Sequence, residues 1–369
     1  MKKTLLALSA LLMFCGSIYA QASFNTGGLM LEINQYGRIR LDIPNNIDTI
    51  THLERASILV GTSTNAVFDY TNDAEEHEPT DLVASPLSSD FEIYGSYDNT
   101  YSGAPPDVIV KLNAYGWTNG SFIITKFNVI NNESLLMNAR IGLDIIPELN
   151  GVYGFDSVTY NPSAGVIRFH RGDQENLGIK LLSGSLSSLA SFEWYDGYTY
   201  DSIYWQWMNY GSLQPQYASP TADGPVCITS EAGKSINAGD STEVFYAFAF
   251  GADETSMLAN MQAAVDKYNL LFTSVGEAIP AGNGLILGKN FPNPCNENTK
   301  INYELPSQGM VSLKLYDAQG NIAAALVNAK QDKGMHSVEF DTRHLAPGVY
   351  CYTINFNNQV KSQNMLVVR

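Results

Sequence analysis

The most chemically suggestive stretch is residues 193–210, EWYDGYTYDSIYWQWMNY, where eight of 18 residues are aromatic, including three of the four tryptophans. Aromatic rings stack on the CH-rich faces of sugars, and carboxylates accept hydrogen bonds from their hydroxyls. A glycan platform here would use Trp194, Tyr198, Trp205, Trp207, Asp196 and Asp201. Hydrolysis would need two carboxylates at a set separation, for which Glu193 is a further candidate. The simpler alternative is packing, with rings at alternate positions of a sandwich strand.

Other catalytic and metal patterns are missing from the sequence. There is no Gly-x-Ser-x-Gly, no His-Glu-x-x-His, no phosphate loop, and no Cys-x-x-Cys spacing for zinc. His170 is predicted to be structural, His77 lies in an acidic loop, and His52 is no better supported as a catalytic residue, so no catalytic residue or metal ligand is assigned. The polar stretch 90–107 is predicted to be a structured turn, and a calcium-bound loop is the alternative, although no Asp-x-Asp-x-Asp-Gly loop is present.

Composition favours many short strands. The chain has 369 residues, is 45% apolar and 16% charged, and is rich in Gly and Tyr. Period-two alternation predicts a hairpin at 29–43, turning at Tyr36-Gly37, and strands at 108–117, 121–132, 140–149, 165–171 and 241–251. The one helix expected spans 254–272, capped by Asp253 or Thr255. The fold class is therefore all-β: a large antiparallel β-sandwich body with one helix near its end, plus a small C-terminal Ig-like β-sandwich.

Charge excludes one class of partner. From Gly288 onward, eight Lys or Arg accompany six Asp or Glu, whereas the chain before it, without Lys2 and Lys3, has 11 basic and 31 acidic residues. A body this acidic repels phosphate backbones, so nucleic acid is not an expected partner.

The first 22 residues have the pattern of a secretory signal peptide. Lys2 and Lys3 precede an apolar run at 5–14, and small residues follow, with cleavage after Ala20 or after Ala22. Cys15 raises the alternative of a lipoprotein, but it follows Phe14 rather than a small residue. The expected route is Sec export across the inner membrane.

The C-terminal segment carries the most specific motifs. Ile301, Tyr303 and Leu305 alternate with polar residues, and Val311, Leu313 and Leu315 repeat the pattern after a turn. The entry motif is Asn290, Phe291, Pro292, Asn293 and Pro294, and a later block contains Gly348, Val349 and Tyr350.

In their residues and their order these blocks resemble the type A C-terminal sorting domain of the type IX (Por) secretion system of Bacteroidota and related bacteria. The resemblance implies recognition by the outer-membrane translocon, removal by its sorting peptidase, and attachment of the body to anionic lipopolysaccharide. A permanent Ig-like stalk is the alternative. The predicted layout is a signal peptide at 1–22, a body at 23–274, a linker at 275–284 and the sorting domain at 285–369.

Two cysteines depart from the family pattern. Cys295 and Cys351 stand where the family usually has aromatic or aliphatic residues. They are predicted either to form a disulfide between an early and a late strand or to remain two separate buried thiols.

The body gives a weaker resemblance. The segments 139–144, 153–156 and 178–183, followed by an Ala-Gly-Asp-Ser turn, a strand and the helix, are similar to passenger domains of type IX cargo, some of which are likened to the mutarotase supersandwich. Three functions stay open for the secreted or surface-attached protein. The first is a structural or adhesive envelope protein, which is favoured; the second is a carbohydrate-binding module, and the third a glycan-processing enzyme.

Overall fold

The computed structural model describes residues 21–44, 49–86, 88–172, 174–272, 285–317, 319–357 and 359–369. The predicted linker at 275–284 and most of the predicted signal peptide lie outside these ranges. The chain divides into two compact units, one up to Ala264 and the other from Val265 onward. No helix among the described residues is long and apolar enough to cross a membrane.

The first unit is built from short strands separated by Gly and Asn turns. In chain order they are β1 Gln21–Asn25, β2 Met30–Asn34, β3 Ile39–Pro44, β4 Thr49–Ser63, β5 Ala66–Phe68, β6 Glu75–Leu82, β7 Phe91–Asp98, β8 Val108–Gly116, β9 Phe122–Asn131, β10 Met137–Pro147, β11 Ser157–Asn161, β12 Val166–Arg171, β13 Gln174–Leu181, β14 Leu186–Glu193, β15 Gln216–Ala218, β16 Pro225–Glu231, β17 Lys234–Ile236 and β18 Ser241–Gly251. The predicted hairpin and the other five predicted strands are all present. The stretch 90–107 is not all loop, because its first half is β7.

These strands form two nine-stranded antiparallel sheets. The first has the order β1-β2-β3-β4-β10-β16-β14, with β5 pairing with β4 and β17 with β10. The second has the order β15-β11-β12-β13-β18-β9-β8-β7-β6. Along β10, Leu143 and Ile145 enter the core between the sheets, whereas Asp144 faces the other side of the first sheet. The predicted large sandwich is confirmed.

Two helices are described, one more than the sequence predicts. Helix α1 spans Asp201–Met208, inside the aromatic segment, and helix α2 spans Glu254–Leu271. A one-turn 3-10 helix lies at Leu149–Gly151. Asp253 caps α2, since its Oδ1 accepts the Ser256 N–H at 2.7 Å.

The second unit is a small two-sheet sandwich. Its strands are β19 Ile286–Phe291, β20 Asn298–Leu305, β21 Gly309–Tyr316, β22 Ile322–Gln331, β23 Gly334–Asp341, β24 Gly348–Phe356 and β25 Gln359–Val367. One sheet has the order β19-β20-β23 and the other β22-β21-β24-β25. The predicted alternation is confirmed, because Ile301, Tyr303 and Leu305 of β20 are buried in the core of this unit.

The disulfide alternative is not the arrangement in the structure, where Cys295 and Cys351 are both free thiols. Cys295 is buried among apolar side chains beside Val367 of β25. Cys351 is only half-buried and alternates along β24 with the buried Tyr350 and Tyr352. It therefore points out of the core, which corrects its assignment to a core position.

Candidate functional site

The aromatic segment lies on the outer face of the first sheet. After β14 the chain turns at Gly197 and enters α1, where Tyr204 and Met208, four residues apart, are buried. They pack with Leu59 and Ile228 of the sheet. The predicted strand placement is therefore wrong for the rings in α1, but the packing alternative holds for Tyr198 and Tyr204, which are buried in this cluster.

A buried polar cluster fastens the segment to the sheet. The Arg55 guanidinium donates to Asp144 Oδ2 at 2.6 Å and also to the Tyr198 hydroxyl. The hydroxyls of Tyr198 and Tyr204 donate to the same carboxylate oxygen, at 3.2 and 2.8 Å. Burial first, and Asp144 second, raise the pKa of Tyr198 and of Tyr204, so both phenols stay protonated and act as donors.

The predicted platform residues do not share one surface. Trp194 is 44% exposed and Asp196 is exposed, but Tyr198 is buried in the polar cluster. Trp205 and Trp207 are half-buried, and the Trp207 ring stacks on Phe192 at 4.7 Å. Asp201 is half-buried, and its Oδ2 accepts the Val67 N–H at 3.3 Å.

A second loop adds aromatic rings that sequence reasoning missed. Tyr153 is 42% exposed and Phe155 is 60% exposed, in the connection between β10 and β11. Trp194 and Tyr195 are exposed at the end of β14. We call Tyr153, Phe155, Trp194 and Tyr195 the aromatic surface.

The segment 219–224 joins the two halves of the aromatic surface. The Phe155 N–H donates to the Thr221 carbonyl at 2.9 Å, and the Trp194 N–H donates to the Gly224 carbonyl at 3.1 Å. Gly154 and Gly224 touch so closely that a Cβ on Gly224 would lie 2.9 Å from the Gly154 nitrogen. Both glycines have positive φ, +79° and +77°, so other residues are excluded on conformational grounds as well.

The loop carrying Tyr153 and Phe155 is held in a strained form. Phe155 has φ +56°, a left-handed conformation that is a real outlier for a bulky side chain. Arg171 donates to the carbonyls of Val152 and Gly154 at 2.9 and 2.7 Å, and its guanidinium pairs with the fully buried Asp156 at 2.8 Å. Burial raises the pKa of Asp156 to about 6, although Arg171 opposes the shift. This clamp sustains the backbone that presents the Phe155 ring to solvent.

The carboxylates suggested for hydrolysis are used elsewhere. Glu193 accepts hydrogen bonds from the hydroxyls of Tyr217 at 3.0 Å, Ser219 at 2.9 Å and Thr221. Burial acts to raise the pKa of Glu193, but the three donors outweigh it and the pKa is lowered. Glu193 therefore stays ionised and braces the segment 217–221, which makes it a poor general acid.

Charged groups border the aromatic surface next to Tyr153. Burial raises the pKa of the Tyr153 phenol, and Glu54 and Glu148 raise it further by their charge. Arg38 pairs with Glu54 at 3.0 Å, and Arg40 does so at 3.9 Å. Burial and the neighbouring Glu54 raise the pKa of Glu148. This border offers both acceptors and donors beside an exposed ring.

No group of three His, Cys, Asp or Glu side chains within the described ranges could hold a metal ion. The calcium alternative for residues 90–107 therefore gains no support.

In the second unit, the predicted motif is fixed by its own side chains. The buried Asn290 amide donates to the Pro292 carbonyl and to Thr299 Oγ1 at 3.1 and 2.9 Å. Asn293 donates to the Asn364 carbonyl and accepts the Leu366 N–H, at 3.1 and 2.8 Å, which joins it to β25. The later block lies on β24, where the Tyr350 hydroxyl donates to the Ala346 carbonyl at 3.0 Å.

The motif region matches the family model described as a secretion system C-terminal sorting domain, over residues 289–369. Residues 289–369 are a type IX secretion sorting domain. The protein is therefore exported and is either secreted or attached to the outer surface, and its partners on this route are the components of the type IX machinery. No curated protein is similar enough to the sequence to count as a relative.

Solved structures resemble the chain in fold. A bacterial glucoamylase complexed with acarbose aligns with 65% of this chain and 33% of its own, at 9% identity and a TM-score of 0.50. A polysaccharide lyase aligns over 94% of this chain and 47% of its own, at 10% identity and a TM-score of 0.40. A galactose mutarotase-like protein from Clostridium acetobutylicum aligns over 62% and 94%, at 9% identity and a TM-score of 0.35. The chain thus spans less than half of the first two proteins, and the glucoamylase likeness concerns fold alone.

Proposed function

We propose that the sorting-domain protein displays its body outside the cell as a non-catalytic adhesive module that binds carbohydrate through the aromatic surface. The observation that carries this is the exposure of four rings from two separate loops that hydrogen bonds hold together. An exposed cluster of this kind, backed by a strained and clamped backbone, is typical of a binding site.

The chemistry of the surface suits a sugar better than a purely apolar partner. Tyr153, Phe155, Trp194 and Tyr195 offer flat rings for the CH faces of pyranose rings. The neighbouring Glu54, Glu148 and Arg40 offer acceptors and donors for hydroxyl groups.

The carboxylates near the aromatic segment favour binding over hydrolysis. Glu193 is committed to three hydroxyl donors, and Asp201 accepts the Val67 N–H. Asp196 is the remaining one of the three, and it lies exposed. A glycosidase needs one carboxylic acid with a raised pKa and one ionised carboxylate on the other side of the scissile bond. The fold shared with the glucoamylase supplies no catalytic residue to this chain.

The test is binding of the full mature chain to a glycan array, followed by titration of the best ligand. We expect binding to some saccharides, with Trp194→Ala and Phe155→Ala each weakening it. Tyr101→Ala is the matched control, because Tyr101 is 70% exposed and lies in the connection between β7 and β8. Absence of binding to any glycan, or equal loss in the control, would reject the proposal.

The remaining parts of the route are proposals as well. We propose that residues 1–22 are a signal peptide, that the sorting peptidase cuts within residues 275–284, and that lipopolysaccharide then anchors the body. Mass spectrometry of the extracellular protein tests the second cut, because a permanent stalk would retain Arg369.

A further inference from the structure

A cavity in the body is lined by none of the four residues of the aromatic surface. It has a volume of ≈ 400 Å³, and residues from both sheets line it, with His52 on β4 and Glu175 on β13. Its apolar wall is formed by Ile43, Ile50, Phe250 and Ala252, and its polar wall also contains Asn150 and Gln174. This size lies within the range that small-molecule sites occupy.

The His52 imidazole is buried and its tautomer is defined. Nδ1 accepts the Asn150 N–H at 3.3 Å, so the ring proton lies on Nε2, which faces Glu175 Oε2 at 3.4 Å. The ring packs against Phe250 with centroids 4.7 Å apart. Burial lowers the pKa of His52 to about 4, so the ring is neutral at physiological pH. The neutral ring can offer the Glu175 carboxylate a hydrogen bond but no opposite charge, and the Glu175 side chain is 31% exposed.

A β-bulge aims Glu175 at the cavity. Gln174 pairs with Arg171 and Asn176 with His170, which makes Glu175 the extra residue between them. Its φ is +58°, a left-handed conformation that is strained in a non-glycine residue. Bulges re-aim side chains and occur often beside functional sites. Asn150, which also lines the cavity, has a left-handed φ as well, of +59°.

We propose that this cavity binds a small organic cation with an apolar body. The ammonium group pairs with Glu175, which forms no ion pair with an arginine or lysine among the described residues. The apolar part lies against Ile43, Ile50 and Phe250. The strong acidity of the body raises the local concentration of cations. This site uses none of the residues of the aromatic surface and does not depend on carbohydrate binding.

The test compares 2-phenylethylamine with 2-phenylethanol, which has the same ring and chain but no charge. The full mature chain, labelled with ¹⁵N-histidine, is titrated with each compound and the His52 ring signals are followed. His52→Gln assigns those signals. We expect the amine to bind roughly ten times more tightly than the alcohol, as one hydrogen bond to a charged group allows, and to shift the His52 signals.

The isosteric variant Glu175→Gln removes the charge while keeping the shape. We expect it to reduce the amine affinity to that of the alcohol, whereas Glu76→Gln, on β6, leaves the preference intact. Equal binding of the two compounds, an unchanged preference in Glu175→Gln, or an equal loss in Glu76→Gln would overturn the proposal. Thermal unfolding of each variant shows whether it is folded, and Glu175→Asp provides a charged second variant that should retain part of the preference.

Discussion

Arg55 and Asp144 form a buried ion pair, 2.6 Å long, on the outer face of the first sheet, beneath the aromatic segment. The Asp144 side chain is 1% exposed and the Arg55 side chain 13%. Tyr198 and Tyr204 donate to the same carboxylate, so a single oxygen of Asp144 connects strands β4 and β10 with the turn before α1 and with α1 itself. This carboxylate therefore adds a polar anchor to the apolar packing that holds the aromatic segment on the sheet.

Removal of the Asp144 carboxylate should destabilise the body strongly. Asp144→Ala leaves Arg55 as an unpaired buried cation and two phenols without an acceptor, so we expect a loss of roughly 3–5 kcal/mol in the free energy of unfolding. Urea denaturation followed by tryptophan fluorescence measures it. The control is Glu243→Ala, which breaks a half-exposed pair with Lys126 at 3.5 Å and should cost about 0–1 kcal/mol. Similar losses in the two variants would contradict the structural role of Asp144.

The sheets were predictable from sequence because alternation of apolar and polar residues with a period of two fits a half-buried strand and not a helix. Strands such as β8 and β20 alternate apolar and polar residues over most of their length, and one face of each is buried as expected. Helix α1 was not predictable, since Tyr and Trp favour strands by propensity. The packing of Tyr204 and Met208 on the sheet overrides that preference.

The candidate sites were harder to foresee for a different reason. Tyr153 and Phe155 lie in a glycine-rich turn with no periodicity, and their exposure depends on Arg171, which arrives from another strand. His52 faces Glu175 because of a bulge, and a single extra residue leaves no sequence signature. The one available signal was the pair Gly151 and Gly154 around an aromatic residue, which indicates a turn that exposes its ring.

Phe155 should show opposite effects on stability and binding. Asparagine tolerates the left-handed conformation better than phenylalanine does, and the Phe155 ring is mostly exposed, so Phe155→Asn should keep or raise the free energy of unfolding by up to about 1 kcal/mol. The same change should weaken glycan binding roughly two- to tenfold, because one aromatic contact is worth about 0.5–1.5 kcal/mol. Chemical denaturation and calorimetric titration measure the two effects. A destabilised variant would contradict the strain at this residue.

His52 should make stability depend on pH. Its pKa is 6.5 in the unfolded reference and is lowered to about 4 by burial, so the unfolded chain binds more protons between these values. The contribution is fully present above pH 6.5 and is lost as the pH falls towards 4. At about 1.4 kcal/mol per pKa unit, His52 contributes roughly 3 kcal/mol to the free energy of unfolding at neutral pH. In His52→Gln the loss of unfolding free energy between pH 7 and pH 4 should be smaller by about this amount. An identical pH dependence would show that the imidazole is not held neutral.

The three described cysteines should differ in reactivity. Cys351 is half-buried on the outward face of β24, whereas Cys227 and Cys295 are buried. Burial raises the pKa of the Cys295 thiol, and it raises that of Cys227 to about 12, which suppresses the reactive thiolates. Iodoacetamide should therefore modify Cys351 first in the native protein and all three only after unfolding. Peptide mass mapping identifies the modified sites, and a peptide pair linked through Cys295 and Cys351 would contradict the free thiols.

Strand β1 distinguishes between the two cleavage sites of the proposed signal peptide. It begins at Gln21, whose ladder partner is Asn34, and the buried Ala22 pairs with Ile33. A cut after Ala22 would remove both pairs from the edge of the first sheet and a side chain from the core, whereas a cut after Ala20 leaves the strand whole. We therefore expect the exported protein to begin at Gln21. Mass spectrometry of its first peptide decides this, and a chain that begins at Ser23 would show that the first two pairs of β1 are dispensable.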